Sequence, residues 1–347
     1  ARTALENALN QERAYDFEGA KKIYADLLGS AADEQVLEKV RWRLEDMDDL
    51  IAEMAIYRRI DENGKRVLTE IGMNIAENQT LMDILMEADA VDFDNETAMF
   101  IPLKREYIDR CLDQVPRQMP GDPGLNTFGT GATPPFLKRA TDDELRAASR
   151  DEYERIVQAV GEQQDVVGIF SLPVANDKSI SLFEVAQLME THFAGLKMIA
   201  TNKMADDEVT FLKGKDHWVD GTSLITSLAP MGTMVDPFLR SARTGNNLLL
   251  LDLTIAGMSG GGSPESLLTQ IHAQVMFMMV MAQTVNPGVF CMHGGIPGVT
   301  ELGGDLSYTS PHQPLINAAM ARVNTWVTGF PSAQSGGSTS LTDVTVQ

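Results

Sequence analysis

Several aromatic and acidic side chains fall at the predicted ends of strands or in the loops that follow them. An aromatic face beside a carboxylate attracts an organic cation, through the ring quadrupole and through charge. The residues that could act in this way are Phe170, Tyr308, Asp252, Glu301 and Asp305, and the amides Asn176 and Asn202 could contribute hydrogen bonds from the same edge. The sequence therefore indicates a cation-binding site assembled from loops.

Each of these residues also has a structural interpretation. Phe170 lies inside a predicted strand, where core packing is the simpler explanation. Asp252 interrupts an apolar run, so its charge needs either a ligand or a buried partner. Asn176 and Asn202 follow strands directly and could cap the loops there. Tyr308, in a polar loop, is the best of the candidates.

Cys291 and His293 alternate along a predicted strand, and alternating residues point to the same face. Both could therefore bind zinc. No third or fourth ligand follows from the spacing, whereas zinc motifs show paired clusters, so we predict no metal site. We interpret His272, on a Met-rich helix, as a buried structural histidine.

A glycine-rich loop at residues 257–263 connects a predicted strand to a predicted helix. Ser263 suits the N-cap and Pro264 the first helical position. Such a loop can bind phosphate at the helix N-terminus. It lacks both the GxGxxG spacing and a P-loop lysine, so a nucleotide site is not favoured. A loop kept small to admit a large cofactor is the alternative.

The composition restricts the possible partners. The chain has 49 acidic and 28 basic residues, a net charge of -21. Such a field repels nucleic acids and anionic membranes, and it favours cationic ligands or basic partner surfaces. Two distant cysteines exclude a disulfide scaffold. There is no apolar run long enough to span a membrane and no leader pattern. We therefore predict a cytoplasmic protein that binds neither nucleic acid nor membrane.

The elements that must position the candidate residues fall into three parts. Residues 1–118 are predicted to form an N-terminal helical region, and residues 119–140 a Pro/Gly-rich loop. The Thr-Asp-Asp-Glu motif at 141–144 predicts a capping box that opens a helix reaching residue 160. Strands and helices then alternate. The predicted strands are 165–172, 196–201, 223–228, 247–255, 288–292 and 330–334, and the predicted helices are 181–193, 207–218, 236–244, 264–285 and 313–328.

Apolar strands that alternate with helices imply a parallel sheet covered by helices. A doubly wound sheet would gather functional groups at one switch point. Here every predicted strand ends in a polar or glycine-rich loop, as in a TIM barrel. We therefore predict an α/β fold, a (β/α)8 TIM-type barrel over residues 141–347 with an N-terminal helical extension. Six strands are visible, so the last two βα units are missing from the pattern.

Segments of the N-terminal helical region and of the later part of the predicted barrel resemble the trimethylamine methyltransferase family, which includes the glycine betaine branch. The N-terminal segments are residues 67–72 and 81–91, Phe93 and the Ile101-Pro102 pair. The later ones are Asn286-Pro287-Gly288, Phe330-Pro331, and the Gly336-Gly337-Ser338-Thr339 turn followed by Thr342-Asp343. The resemblance extends over residues 65–343. It lies in the arrangement of these segments more than in one diagnostic motif.

The resemblance implies transfer of a methyl group from trimethylamine, or from a quaternary amine such as glycine betaine, to the Co(I) corrinoid of a cognate protein. No cofactor would be tightly bound, and the chain would form a homo-oligomer. The glycines expected to face the corrinoid are Gly260, Gly261, Gly262, Gly294, Gly295, Gly336 and Gly337. A non-catalytic or truncated member that binds a cationic amine or a partner protein is the alternative.

The resemblance also suggests a reason for the missing βα units. In the trimethylamine branch, pyrrolysine is encoded by an amber codon in roughly this part of the barrel, where conventional translation would stop. A trimmed sequence or a true truncation is the alternative. An in-frame amber codon after codon 347, followed by coding sequence for about two βα units, would support the first explanation. An ochre or opal stop would refute it.

Overall fold

A computed structural model describes residues 2–30, 34–92, 99–119, 128–131, 136–137, 146–147, 149–170, 180–223, 227–230, 232–300, 306–307 and 310–335. The helices in these ranges are α1 (Arg2–Arg13), α2 (Phe17–Leu28), α3 (Glu34–Arg66), α4 (Gln79–Glu87), α5 (Arg105–Gln114), α6 (Arg150–Gly161), α7 (Leu182–His192), α8 (Asp206–Val209), α9 (Gly232–Thr244), α10 (Pro264–Val285) and α11 (His312–Arg322). The strands are β1 (Met73–Asn74), β2 (Phe100–Ile101), β3 (Phe128–Gly131), β4 (Phe136–Leu137), β5 (Arg146–Ala147), β6 (Val166–Phe170), β7 (Leu196–Ile199), β8 (Trp218–Ser223), β9 (Leu248–Asp252), β10 (Ile255–Ala256), β11 (Cys291–Gly295), β12 (Gly298–Thr300), β13 (Leu306–Ser307) and β14 (Ser332–Gln334). π-helical turns at Val67–Ile71 and Val323–Thr328 follow α3 and α11 directly.

The first three helices form a unit with its own apolar core. Helix α3 buries Val36, Val40, Met47 and Met54, at spacings that place them on one face of a helix. These residues pack against α1 and α2, and Trp326 of the second π-helical turn packs against the same core. These three helices make up most of the described residues up to Arg66, and Trp326 joins this region to the rest of the chain.

The spacing of the apolar residues over 67–86 suggests a helix there, as part of the predicted helical region. The chain after α3 instead leaves the helical conformation. Gly72 has a φ of +86°, a conformation that favours glycine and ends the helix. A short strand follows, and α4 then begins behind Asn78, whose side chain accepts a hydrogen bond from the Leu81 amide.

Seven parallel strands form a curled sheet in the order β14-β11-β9-β8-β7-β6-β3. Each strand pairs with the one that precedes or follows it along the sheet-forming part of the chain, and the order never reverses. A doubly wound sheet would reverse at its switch point. The prediction of consecutive parallel strands is therefore confirmed, and the sheet is compatible with part of a TIM-type barrel. The eight-stranded layout stays a prediction.

Strand β9 shows how the two faces of the sheet differ. Leu248 and Leu250 belong to a cluster with residues of α4, α5, α9 and α10. Leu249 and Leu251 instead pack with Met198 and other strand residues. Because side chains alternate along a strand, the sheet has an outer face covered by helices and an inner face lined by strand residues.

The first strand of the sheet, β3, lies in the stretch predicted as a loop. It pairs in parallel with β6, so the sheet contains one strand more than the six predicted. Two of its four residues, Gly129 and Gly131, are glycines, and the register shifts between Phe128 and Gly129. Glycines in a strand mask the apolar pattern that identifies it.

The region around β8 also differs from the prediction. We expected a helix over 207–218 and a strand over 223–228, whereas the strand is Trp218–Ser223 and only a short helix precedes it. Asp220 lies in the middle of this strand and is buried. Its carboxylate accepts hydrogen bonds from the amide and the hydroxyl of Thr201, at 2.9 and 2.5 Å. Because this buried acid interrupts the apolar residues, the hydropathy pattern did not identify the strand.

Helix α6 begins later than predicted. Residues 141–144 lie outside the described ranges, and the helix starts at Arg150. Ser149 and Glu152 form its capping box, with the Ser149 amide donating to Glu152 Oε2 at 3.0 Å. A capping box does begin the helix, as predicted, but Ser149 and Glu152 form it instead of residues 141–144.

Helix α10 has the predicted bounds, and residues around its whole circumference are buried. Its N-terminus is also as predicted. The Ser263 side chain accepts a hydrogen bond from the Ser266 amide, and Pro264 occupies the first turn. Within the described ranges, no helix combines the length and the hydropathy needed to cross a membrane.

Candidate functional site at the carboxyl ends of the strands

The inner face of the sheet is apolar and rich in methionine. We call its residues the inner wall: they are Met198, Val219, Leu249, Leu251, Phe290 and Met292, with Phe170, Leu196, Ile296 and Ala333 partly buried against them. Glycines contribute inward positions as well. A Cβ at Gly221 would lie 2.9 Å from the sulfur of Met198, and one at Gly294 would lie 2.7 Å from Leu251 Cδ2. The wall is therefore closely packed at these two positions.

Two inward-facing residues at the carboxyl ends of the strands, Phe170 and Ser223, add an aromatic ring and a hydroxyl to the inner wall. Phe170, one of the predicted residues, ends β6 beside Met198 of β7 and is half-buried. Ser223 ends β8 beside Leu251. Its position alternates with Val219 and Gly221, so it faces inward. Its buried hydroxyl has no hydrogen-bond partner among the described residues. Sequence reasoning did not single out Ser223, because the strand that presents it was misplaced.

Asp252 ends β9 on the outer face, below α10. Its carboxylate accepts hydrogen bonds from the Thr254 amide and from Gln274 Nε2, both at 2.8 Å. Burial raises the pKa of Asp252 to about 7, although the hydrogen bonds from Thr254 act in the opposite direction. The partners of this acid are neutral groups of the loop and of α10.

Asn202 follows β7 in a short 3-10 turn. Its side-chain nitrogen lies 3.6 Å from the sulfur of Met234 on α9. The structure therefore places Asn202 and Asp252 against helices and Phe170 on the inner wall, so it does not bring these three together. The other predicted site residues, Asn176, Glu301, Asp305, Tyr308, Gly336 and Gly337, lie outside the described residues.

The predicted cofactor-facing glycines have different surroundings. A Cβ at Gly260 would meet Thr254 Cγ2 at 2.3 Å, and one at Gly261 would meet Ser266 Oγ at 2.1 Å, so both are needed for packing within the loop. A Cβ at Gly262 would meet no atom of the described residues within 4 Å. Gly294 faces the inner wall. Gly295 lies on the outer face, where a Cβ would come 2.8 Å from Gln334 Oε1.

A buried chain of polar side chains crosses from the N-terminal region to the sheet. Asp61 of α3 lies 3.0 Å from Nε2 of His272 on α10, and Nδ1 of His272 lies 3.3 Å from Nε2 of His293 on β11. His293 Nδ1 in turn lies 3.4 Å from Gln334 Nε2 on β14. Both histidines are fully buried. We call these four residues the relay.

The hydrogen bonds at the two ends of the relay have a fixed direction. The ionised Asp61 carboxylate can only accept, so His272 donates to it through Nε2. Gln334 Nε2 donates to His293, whose backbone carbonyl can only accept. Desolvation would raise the pKa of Asp61, but His272 and Lys65 more than offset it, so the pKa is lowered. Burial, reinforced by His272, lowers the pKa of His293 well below its ordinary value, so His293 is neutral at neutral pH.

Cys291 and His293 do share the outer face, as their alternation predicts, but each has its own partners. The Cys291 sulfur lies 3.7 Å from Gln283 Nε2, and burial raises the pKa of this thiol to about 12. Among the described residues, no cluster of three or more His, Cys, Asp or Glu side chains could hold a metal ion.

The fold and the site together define a class of protein. It is an α/β protein with a curled parallel sheet, compatible with part of a TIM-type barrel, whose inner wall is apolar. No protein-family model matches this chain. The chain is similar to the glycine betaine methyltransferase of Desulfitobacterium hafniense (strain Y51), with 23% identity over 309 residues. The match covers 81% of this chain and 63% of the relative, less than two thirds of the relative's length.

Proposed function

We propose that this chain is a methyltransferase that removes a methyl group from trimethylamine or from a quaternary amine such as glycine betaine, and delivers it to the corrinoid of a separate protein. The observation that supports methyl transfer is the similarity to a glycine betaine methyltransferase over 81% of the chain. The inner wall is consistent with this proposal, because an apolar surface with an aromatic ring at the end of β6 suits the methyl groups of a substituted ammonium ion.

When a quaternary ammonium loses a methyl group, the C–N bond breaks with its electrons passing to nitrogen, and the leaving group is a neutral amine. No general acid is needed. The chain has to withdraw the cation from water and to orient one N–CH3 bond toward the acceptor. In this proposal the Phe170 ring contacts the cation, and the polarizable sulfurs of Met198 and Met292 contact its methyl groups. The Ser223 hydroxyl donates a hydrogen bond to the polar end of the ligand.

The described residues fit an acceptor that arrives from outside. Inward positions on β6, β7, β8, β9, β11 and β14 contain no His, Asp or Glu, so nothing on those strands can activate the Ser223 hydroxyl as a nucleophile. A corrinoid on a partner protein would supply a nucleophilic cobalt centre. Gly257 and Gly262 have open space where a side chain would project, and they would let a large ring approach the strand ends.

Binding and transfer can be tested separately. Calorimetric titration with trimethylamine, glycine betaine, carnitine and proline betaine should give at least one saturable response. Incubation of the chain with that amine and a Co(I) corrinoid protein should then change the corrinoid absorbance. Binding without any absorbance change would favour a non-catalytic role. Saturable binding of an anion or a nucleotide, with no response to any amine, would refute the proposal.

Phe170 provides a sharper test of the site. Phe170→Ala should weaken amine binding about tenfold, because a desolvated cation–π contact contributes about 1–2 kcal/mol. Phe170→Tyr should retain most of the affinity. Phe183→Ala is the matched control, since Phe183 of α7 packs edge-to-face against Phe211 and its loss should leave amine affinity unchanged. Equal affinities for wild type and Phe170→Ala would exclude Phe170 from the site.

A further inference from the structure

Three side-chain amides surround the outer face of β11 and β14 at their carboxyl ends. Gln313 and Asn317 lie on α11 and are 0% and 3% exposed, and their four-residue spacing places them on one face of the helix. Gln334 ends β14. The amide oxygens of all three are buried and have no hydrogen-bond donor among the described residues.

The orientation of the two α11 amides is fixed by backbone carbonyls. Gln313 Nε2 donates to the Pro297 carbonyl at 2.9 Å, and Asn317 Nδ2 donates to the Ser335 carbonyl at 2.6 Å. A carbonyl can only accept, so the nitrogen of each amide must face it. The oxygens are therefore turned the other way.

The relay fixes the third amide. Gln334 Nε2 donates to His293, at 3.4 Å from Nδ1 and 3.3 Å from the carbonyl oxygen, and to Ser332 Oγ at 2.9 Å. Rotating this amide by half a turn would place its oxygen against the His293 carbonyl, which can only accept. Gln334 therefore presents its oxygen to α11.

Gly295 provides the space that these oxygens face. The position of a Cβ at this residue would lie 2.8 Å from Gln334 Oε1, 3.7 Å from Asn317 Oδ1 and 3.7 Å from Pro297 Cδ. Gln313 lies one turn before Asn317 on the same face of α11. A buried acceptor without a donor loses its hydration without compensation, so a group that offers only positive charge or donors would be stabilised here.

We propose that the amide oxygens of Gln313, Asn317 and Gln334 bind a monovalent metal cation, K+ or Na+, beside Gly295. These ligands are neutral oxygens, the kind that replaces the hydration shell of K+ in selectivity filters. Mg2+ and Ca2+ usually take carboxylate ligands, and this set of amides has none. The cation would join α11 to the ends of β11 and β14. This site does not depend on the proposed methyl transfer.

The test is the response of stability to the cation. Urea unfolding in KCl, NaCl and N-methylglucamine chloride at equal ionic strength should give a higher midpoint with K+ or Na+, saturating with concentration. Asn317→Ala should weaken that response about tenfold, and Asn317→Asp should strengthen it. Asn7→Asp, which adds the same charge to an exposed position on α1, should leave it unchanged.

Crystals grown in RbCl provide a second measurement, which does not depend on the stability of any variant. An anomalous difference peak between Gly295 and Asn317 would support the proposal. Equal midpoints in all three chlorides, together with no peak at that position, would overturn it and assign the oxygens to bound water.

Discussion

Asp61→Ala should lower the free energy of unfolding by about 3 kcal/mol, since it leaves the buried His272 N–H without its charged acceptor and removes the ion-pair partner of Lys65. The Asp61 carboxylate is 13% exposed and accepts from His272, and Lys65 Nζ lies 3.2 Å from its second oxygen. Without it, the His272 Nε2 proton has no acceptor inside the relay. Urea denaturation at neutral pH measures the loss.

Asp61→Asn separates the hydrogen bond from the charge. An asparagine oxygen can still accept from His272, so this variant should lose only about 1 kcal/mol. Asp46→Ala removes an exposed acid from the same helix and should lie within about 0.5 kcal/mol of wild type. If all three variants have equal stability, the relay does not hold α3 against α10.

The free energy of unfolding should contain a component that decreases as the pH rises from about 4 to about 7, and this component should be absent from Asp252→Asn. The pKa of Asp252 rises from its ordinary value of 3.8 to about 7 in the fold. Between these values the native chain binds the proton and the unfolded chain does not. Stability therefore falls with pH, by up to about 1.4 kcal/mol per pH unit, and the component becomes constant above pH 7.

The measurement is the difference between the wild-type and Asp252→Asn free energies of unfolding at each pH. Subtraction removes the contributions of other groups, such as Asp61, whose lowered pKa acts in the opposite direction. Asp207→Asn, at an exposed position, should parallel wild type at every pH. A constant difference between wild type and Asp252→Asn would show that Asp252 is already ionised in the fold at low pH. The hydrogen bonds from Thr254 and Gln274 would then outweigh burial.

These two acids show how the protein divides its polar groups between the faces of the sheet. Asp252 and the relay occupy the outer face, where helices α3 and α10 supply their partners. At the carboxyl ends of its strands, the inner wall has one hydroxyl, from Ser223, and one aromatic ring, from Phe170. A site of this kind favours a ligand that is bulky, methylated and weakly hydrated, as the proposed function requires.

Much of the architecture was predictable from local patterns. The bounds of α10 followed from an N-cap serine, a first-turn proline and a largely apolar stretch, which are signals that act within a few residues. The parallel sheet followed from apolar strands that alternate with helices. Strand β3 was missed and β8 was misplaced, because glycines in one and a buried aspartate in the other interrupt the apolar pattern.

The sequence alone determined that strands such as β9 are buried, but only the tertiary structure decided which of their residues face the inner wall. In an antiparallel sheet with one wet face, polarity marks the outside. Here both faces are dry, so Leu250 and Leu251 are chemically equivalent in the sequence although they face opposite sides. Asp252 could therefore be placed at the end of a strand but not on a face. The relay was equally hidden, because no local rule brings Asp61 to His272 across more than two hundred residues. That contact exists only because α3 packs along α10, and packing between distant helices is decided by the whole fold.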